Sequence, residues 1–187
     1  MDTDTDSSRI PSQSFLNELK ALYNASNTDT SAWCCIAAVA FSGLNIPEAV
    51  PAIFEYGVRS EGIEGRVLAR RIKDALFKVG LMYGFPKSIN GLAALQKVLP
   101  KELQETETLR PDPTKDIEVI KRRGQEFMSH TYGETFDASL SFLKDIYPDL
   151  GGDFFMVSVC YGYIYGYTEI LNAAETSLCI ATAAIVA

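Results

Sequence analysis

"CYGYIYGYTEI", residues 160–170, decides whether this chain contains a sheet. Tyr161, Tyr163, Tyr165 and Tyr167 alternate with period 2, the pattern of a strand with one aromatic face. No second strand-like run exists to pair with it, and a lone strand leaves its backbone N–H and C=O groups unsatisfied. Gly162 and Gly166 are four apart, which puts both on one helix face where a neighbouring helix can approach closely. The segment is therefore predicted to be helical, and the whole chain all-α.

On its C-terminal side, "NAAETSLCIATAAIVA" (172–187) predicts a further helix, with Asn172 as N-cap and Glu175 at the third helical position of a capping box. From Leu178 to Ala187 this helix is apolar around most of its circumference, more than one neighbour would cover, so self-association is expected. On the N-terminal side, amphipathic helices are predicted over Ile117–Met128 and Phe136–Tyr147, with a break at Tyr132-Gly133. Residues 101–116, with "LRPDP" and several acids, are linker-like.

The first hundred residues continue the helical rhythm. Pro11 starts a helix with Phe15, Leu16, Leu19, Leu22 and Tyr23 on one stripe, and a polar break spans 24–31. "SAWCCIAAVAFSG" is apolar all round, as in a helix at the centre of a bundle. Asn45-Ile-Pro47 is expected to cap and start the next helix, with Val50, Ile53, Phe54 and Val58 inward. "EGRVLARRIKDALFKVG" turns Val67, Leu68, Ile72, Ala75, Leu76 and Val79 inward. In "YGFPKSINGLAALQKVL" Gly84 ends one helix, Pro86 begins another, and Ile89, Leu92, Ala93 and Val98 face inward. The domain expectation is a disordered tail over 1–10, then a single all-helical domain over 11–187.

Composition narrows the function. Of 187 residues 47% are hydrophobic and 22% charged, an ordinary globular balance. The net charge of −7 argues against nucleic acid or an anionic membrane as partner. Arg66, Arg70, Arg71, Lys73 and Lys78 alternate with apolar residues and read as a solvated helix face. The acidic N-terminus has no signal or transit pattern, and the apolar runs 32–47 and 178–187 are too short or too mixed to span a bilayer. An intracellular protein is expected, in the cytoplasm first, with mitochondrion and peroxisome left open.

The chemistry-bearing residues are few. Cys34 and Cys35 are adjacent, Cys160 and Cys179 lie far away, and the only histidine is His130, so neither a disulfide framework nor a zinc site is spelled out. Cys34 and Cys35 sit one turn into an apolar helix and point about 100° apart, which suits core packing better than redox chemistry. Cys160 and Cys179 are the one thiol pair nominated for a relay. His130 is a candidate general base with Glu126 four residues earlier. Glu55 and Glu175 are candidate paired carboxylates, and the tyrosines 161–167 a candidate pocket lining. No cofactor is implied.

The order of "WCCIAAVAFSG", "NIPEAVPAIFEYGVR" and "RRIKDALFKVGLMYGFPKSINGLAAL" resembles the carboxymuconolactone decarboxylase and alkylhydroperoxidase D superfamily, particularly its fungal-type members. "YGYIYGYTEILNAAETSLCIATAAIVA" resembles the stretch leading into that family's E-T-E-L-like helix. The resemblance spans most of 32–100 and about 155–187. It implies an all-α homo-oligomer. One branch runs a thiol relay on a Glu, a Cys-x-x-Cys and a nearby His; the other uses a His and acidic partners on a small lactone acid.

Glu175 matches the motif glutamate. The family's reactive cysteines fall about a dozen residues beyond it, at or just past Ala187, so the last helix looks like the lead-in to a catalytic half absent from this chain. In the earlier half no cysteine stands in the equivalent turn, 42–47, and Phe54 lies near the position of the expected histidine. Two readings stay open: a degenerate, oligomeric family member that binds a small molecule or is structural, and an active hydroperoxidase or cofactor-free decarboxylase. The ligand expected on either is a small organic molecule or a hydroperoxide.

Overall fold

The computed structural model describes residues 9–24 and 31–187. Most of the tail predicted at 1–10, and most of the polar break at 24–31, lie outside the described residues. Within them the chain is all-α: helices α1 (Gln13–Asn24), α2 (Ala32–Gly43), α3 (Ala49–Glu61), α4 (Gly65–Tyr83), α5 (Phe85–Val98), α6 (Ile117–Tyr132), α7 (Phe136–Ile146) and α8 (Ala173–Val186), with a π-helix over Asp153–Tyr165 and no strand. Two compact units result, one made of Met1–Gln104 with Ala174–Ala187, the other of Glu105–Ala173; the first boundary falls inside the linker-like stretch and the second at the start of α8.

In the first unit α4 is the central helix, packed on α2, α5 and α3. Leu68, Ala69, Ile72, Ala75, Leu76 and Val79 are all buried, because a helix flanked on several sides has no free face for them. The α2 segment is buried as its uniform apolarity predicts: Trp33, Cys34, Cys35, Ala38 and Val39 are inaccessible, and Trp33 meets Tyr56 of α3 edge-on at 5.6 Å. Glu64 caps α4, its carboxylate accepting from the Arg66 and Val67 N–H groups at 2.9 and 2.8 Å. At the other end Gly84 takes φ 91°, a left-handed turn that lets α5 start at once with Pro86 in its first turn.

Some predicted positions move. Phe15, Leu22, Val67, Ile89 and Val98 are exposed, since each helix covers a narrower stripe than the full apolar pattern allows. Asn45 does not cap α3. It takes φ 57° and ends the turn after α2, a conformation that Asn tolerates, and α3 begins after Glu48. On α8, Leu178 and Ile185 are 43% and 84% exposed.

The second unit rests on α6 against the π-helix. A methyl group on Gly124 would collide with the Val157 carbonyl oxygen, and one on Gly162 with the Ile120 carbonyl oxygen. Gly124 and Gly162 therefore let the two backbones touch, whereas Gly166 lies past the end of the π-helix and, of α6, meets only the Arg123 side chain. The tyrosine run is helical through Tyr165, but with π geometry, and Tyr167 lies beyond its end. Lys121 of α6 pairs with Asp153 at the start of the π-helix, 2.8 Å apart. No helix among the described residues is long and apolar enough to cross a membrane.

Candidate functional site

Three polar residues of α4 share one face: Arg71, Asp74 and Lys78, at i, i+3 and i+7. They meet Glu175, Thr176 and Cys179 of α8. Arg71 Nη2 donates to Glu175 Oε1. Lys78 Nζ donates to Thr176 Oγ1 at 2.8 Å and pairs with Asp74 Oδ2 at 3.1 Å. Lys78 is fully buried and Asp74 nearly so. This overturns the solvated-face reading of the basic cluster for Arg71 and Lys78: α8 lies over them, and a buried ammonium is tolerable only because carboxylate and hydroxyl oxygens accept its hydrogen bonds.

Glu175 and Cys179 therefore come together, one turn apart on α8 and facing α4. The Cys179 thiol is pushed up to about 12, by burial first, and against the pull of the Lys78 cation. Cys35, also buried, is raised well above the ordinary thiol range by burial, with a further contribution from the nearby Cys179. Both are thiols, not thiolates, at neutral pH, and the thiolate is the nucleophile. Glu55 has a different setting: it is half exposed, pairs with Arg59 of its own helix at 3.6 Å, and lines a shallow cleft of about 190 Å³ with Tyr56 and Gln13.

Cys160 and His130 belong to the second unit. Cys160 is buried on the π-helix, and burial pushes its thiol up to about 11. His130 is exposed near the end of α6, its Nδ1 3.3 Å from the Glu126 backbone carbonyl oxygen, so the helix backbone rather than the Glu126 carboxylate is its contact. The nominated pair, Cys160 and Cys179, thus falls in different units.

The tyrosines form two groups, as a π-helix spacing of four to five residues per turn sorts them. Tyr161 and Tyr165 stack edge-on at 5.5 Å, and the Tyr161 and Tyr132 hydroxyls are 2.7 Å apart. Burial raises the Tyr161 phenol and pushes Tyr165 up to about 12. On the other side Arg110 lies over the Tyr167 ring at 4.8 Å and Arg123 over the same ring at 5.5 Å; Arg110 also donates to the Tyr163 carbonyl at 3.1 Å. An apolar cavity of about 250 Å³ opens between Ile117 and Ile120 of α6 and Phe154, Val159 and Tyr163 of the π-helix.

The residues that sequence reasoning missed are Asp74 and Lys78. Their four-residue spacing is visible in "RRIKDALFK", but an i, i+4 pair of opposite charge reads equally well as a surface pair. Among the described residues no cluster of three His, Cys, Asp or Glu could hold a metal.

Fold and site together define an all-helical protein with an ionic seam buried in one unit and a glycine-packed helix pair in the other. No family model matches the chain, and no solved structure matches it. Two curated relatives do. Peroxisomal protein 2 of Schizosaccharomyces pombe is 26% identical over 152 residues, which cover 80% of this chain and 67% of that protein. Peroxisomal protein 2 of Saccharomyces cerevisiae is 23% identical over 208 residues, covering 79% and 72%.

Proposed function

We propose that this chain is a peroxisome-associated protein of the carboxymuconolactone decarboxylase and alkylhydroperoxidase D type whose thiol site is degenerate, and that it acts as an oligomeric small-molecule-binding or structural member. The state of the thiols carries this reading. All four cysteines are buried and none is in a disulfide, and burial raises the Cys35, Cys160 and Cys179 thiols above the ordinary range. A relay needs an accessible thiolate and a resolving thiol within reach. Glu175, which matches the family's motif glutamate, is paired with Arg71.

The names of the two yeast relatives support the peroxisomal assignment. The outward stripe of α8 supports self-association: Ala174, Leu178, Ala181 and Ile185 are exposed at four–three–four spacing, and none is charged.

The test is consumption of cumene hydroperoxide with dithiothreitol as reductant, comparing the intact chain with a Cys160→Ser, Cys179→Ser double variant. Both should match the protein-free rate. Robust turnover that the double variant loses would establish the alternative, an active hydroperoxidase. Light scattering at micromolar concentration tests self-association, and a strict monomer counts against it. Co-localisation of the tagged chain with a peroxisomal marker tests the compartment.

A further inference from the structure

The cavity of the second unit has a composition that selects its occupant. Its walls are Pro113, Ile117 and Ile120 on one side and Phe154, Val159 and Tyr163 on the other, and none of the wall surface is polar. Ser158 also borders it, but the Ser158 hydroxyl already donates to the Asp153 carbonyl at 3.1 Å and offers no proton to the space. A buried water needs two to four polar partners, so this space does not hold one stably. It is also not a void that packing can close. The backbones of α6 and the π-helix already touch at Gly124 and Gly162, which fixes the separation of the two helices near the cavity. The mouth is apolar too: Phe154 is 71% exposed and Ile117 36% exposed, hydrocarbon whose removal from water by an apolar ligand is favourable.

We infer that this cavity binds an uncharged hydrocarbon group, a single ring or a short alkyl chain, carried on a small organic molecule. The size agrees: a dry cavity of about 150 Å³ accepts benzene, so about 250 Å³ takes one substituted ring or a chain of roughly six to eight carbons. Selection is by exclusion of polarity, since a charge or polar group pushed inward would find no donor on the walls and at most the Ser158 hydroxyl oxygen as an acceptor. A polar substituent is tolerated only at the mouth, beside Phe154. The inference rests on the small-molecule-binding part of the function proposed above and is independent of its thiol part.

The experiment uses the full chain with p-xylene and 1-hexanol as probes and glycerol as polar control, read by NMR of the isoleucine and valine methyl groups. Saturable shifts confined to Ile117, Ile120 and Val159 are expected for both apolar probes, and none for glycerol. Val159→Phe, which fills the space, should weaken p-xylene binding by at least about tenfold, equivalent to about 1.4 kcal/mol, with the helical dichroism retained. If that variant does not fold, Ile117→Trp at the rim gives the same comparison. Absent or unsaturable shifts in the folded chain, or unchanged affinity in a folded variant, would overturn the inference. Hydroperoxide turnover would sink the thiol reading and leave this one standing, whereas a null result with both probes does the reverse.

Discussion

α4 and the π-helix are the central helices of their units, and they are packed by opposite means. α4 fills its surroundings with side chains: Leu68, Ile72, Leu76 and Val79 on one flank, and Arg71, Asp74 and Lys78 on another, where α8 supplies the counter-groups. The π-helix gains its contact with α6 by leaving side chains out, at Gly124 and Gly162. The first arrangement draws its cohesion from apolar burial and compensated charge. The second depends on van der Waals contact between backbones. Two all-α units of one chain therefore fail under different substitutions, and Trp33, the single tryptophan, reports on one while the tyrosine cluster reports on the other.

The largest effect is expected from Lys78→Met. It leaves the Asp74 carboxylate buried without its cation and should cost about 3–5 kcal/mol, read as a fall in the urea midpoint of Trp33 fluorescence. Adding Asp74→Leu should recover most of that loss. A double variant as unstable as the single one would mean that the pair does not act as a unit.

Gly124→Ala comes next. Its methyl group meets a carbonyl oxygen that cannot move without shifting the π-helix, so about 3 kcal/mol is expected, seen in the near-ultraviolet dichroism of the tyrosines. If Trp33 fluorescence shifts equally, the contrast between the units is lost.

The thiols give a pH test. Cys160 and Cys179 are raised in the folded state, to about 11 and about 12, above an unfolded value of about 8.5. Their contribution is therefore complete below about pH 8 and is lost progressively as pH rises toward 11 and 12. The urea midpoint should decline over that alkaline range, and less steeply in the Cys160→Ser, Cys179→Ser variant. At pH 8 iodoacetamide should label the native chain far more slowly than the urea-unfolded chain.

The smallest effect is expected from Lys121→Ala. Its partner Asp153 is half exposed, and the cation holds that carboxyl below its usual range. A depressed carboxylate contributes stability above the ordinary carboxylate range and loses it as pH falls through the folded value. The difference from wild type should vanish in half-molar salt, since an exposed pair is screened. A difference that survives salt would show that Lys121 packs as well as pairs.

Much of the helical layout was legible in residue spacing. The break at Tyr132-Gly133, the Gly84-Phe-Pro86 joint and the burial of "AWCCIAAVA" follow from local rules, because caps, glycine turns and uniform apolarity act over a few residues. Of the two glycines that argued for a helix at 160–170, Gly162 marks the surface on which α6 rests, and the helix ends at Tyr165. The candidate site was only half visible. Glu175 was picked out by its motif and Cys179 by its chemistry, but nothing local distinguishes a lysine on a solvated face from Lys78 under α8, about a hundred residues further along the chain.

The sequence by itself determined that the chain is helical, where most helices begin and end, and that its thiols sit in apolar stretches. Only the tertiary structure decided which charges are enclosed, that the tyrosine run winds with π geometry, and where α6 and the π-helix leave an apolar cavity. Helix periodicity is set by neighbours three and four residues away, whereas burial of a given side chain depends on which distant helix covers it.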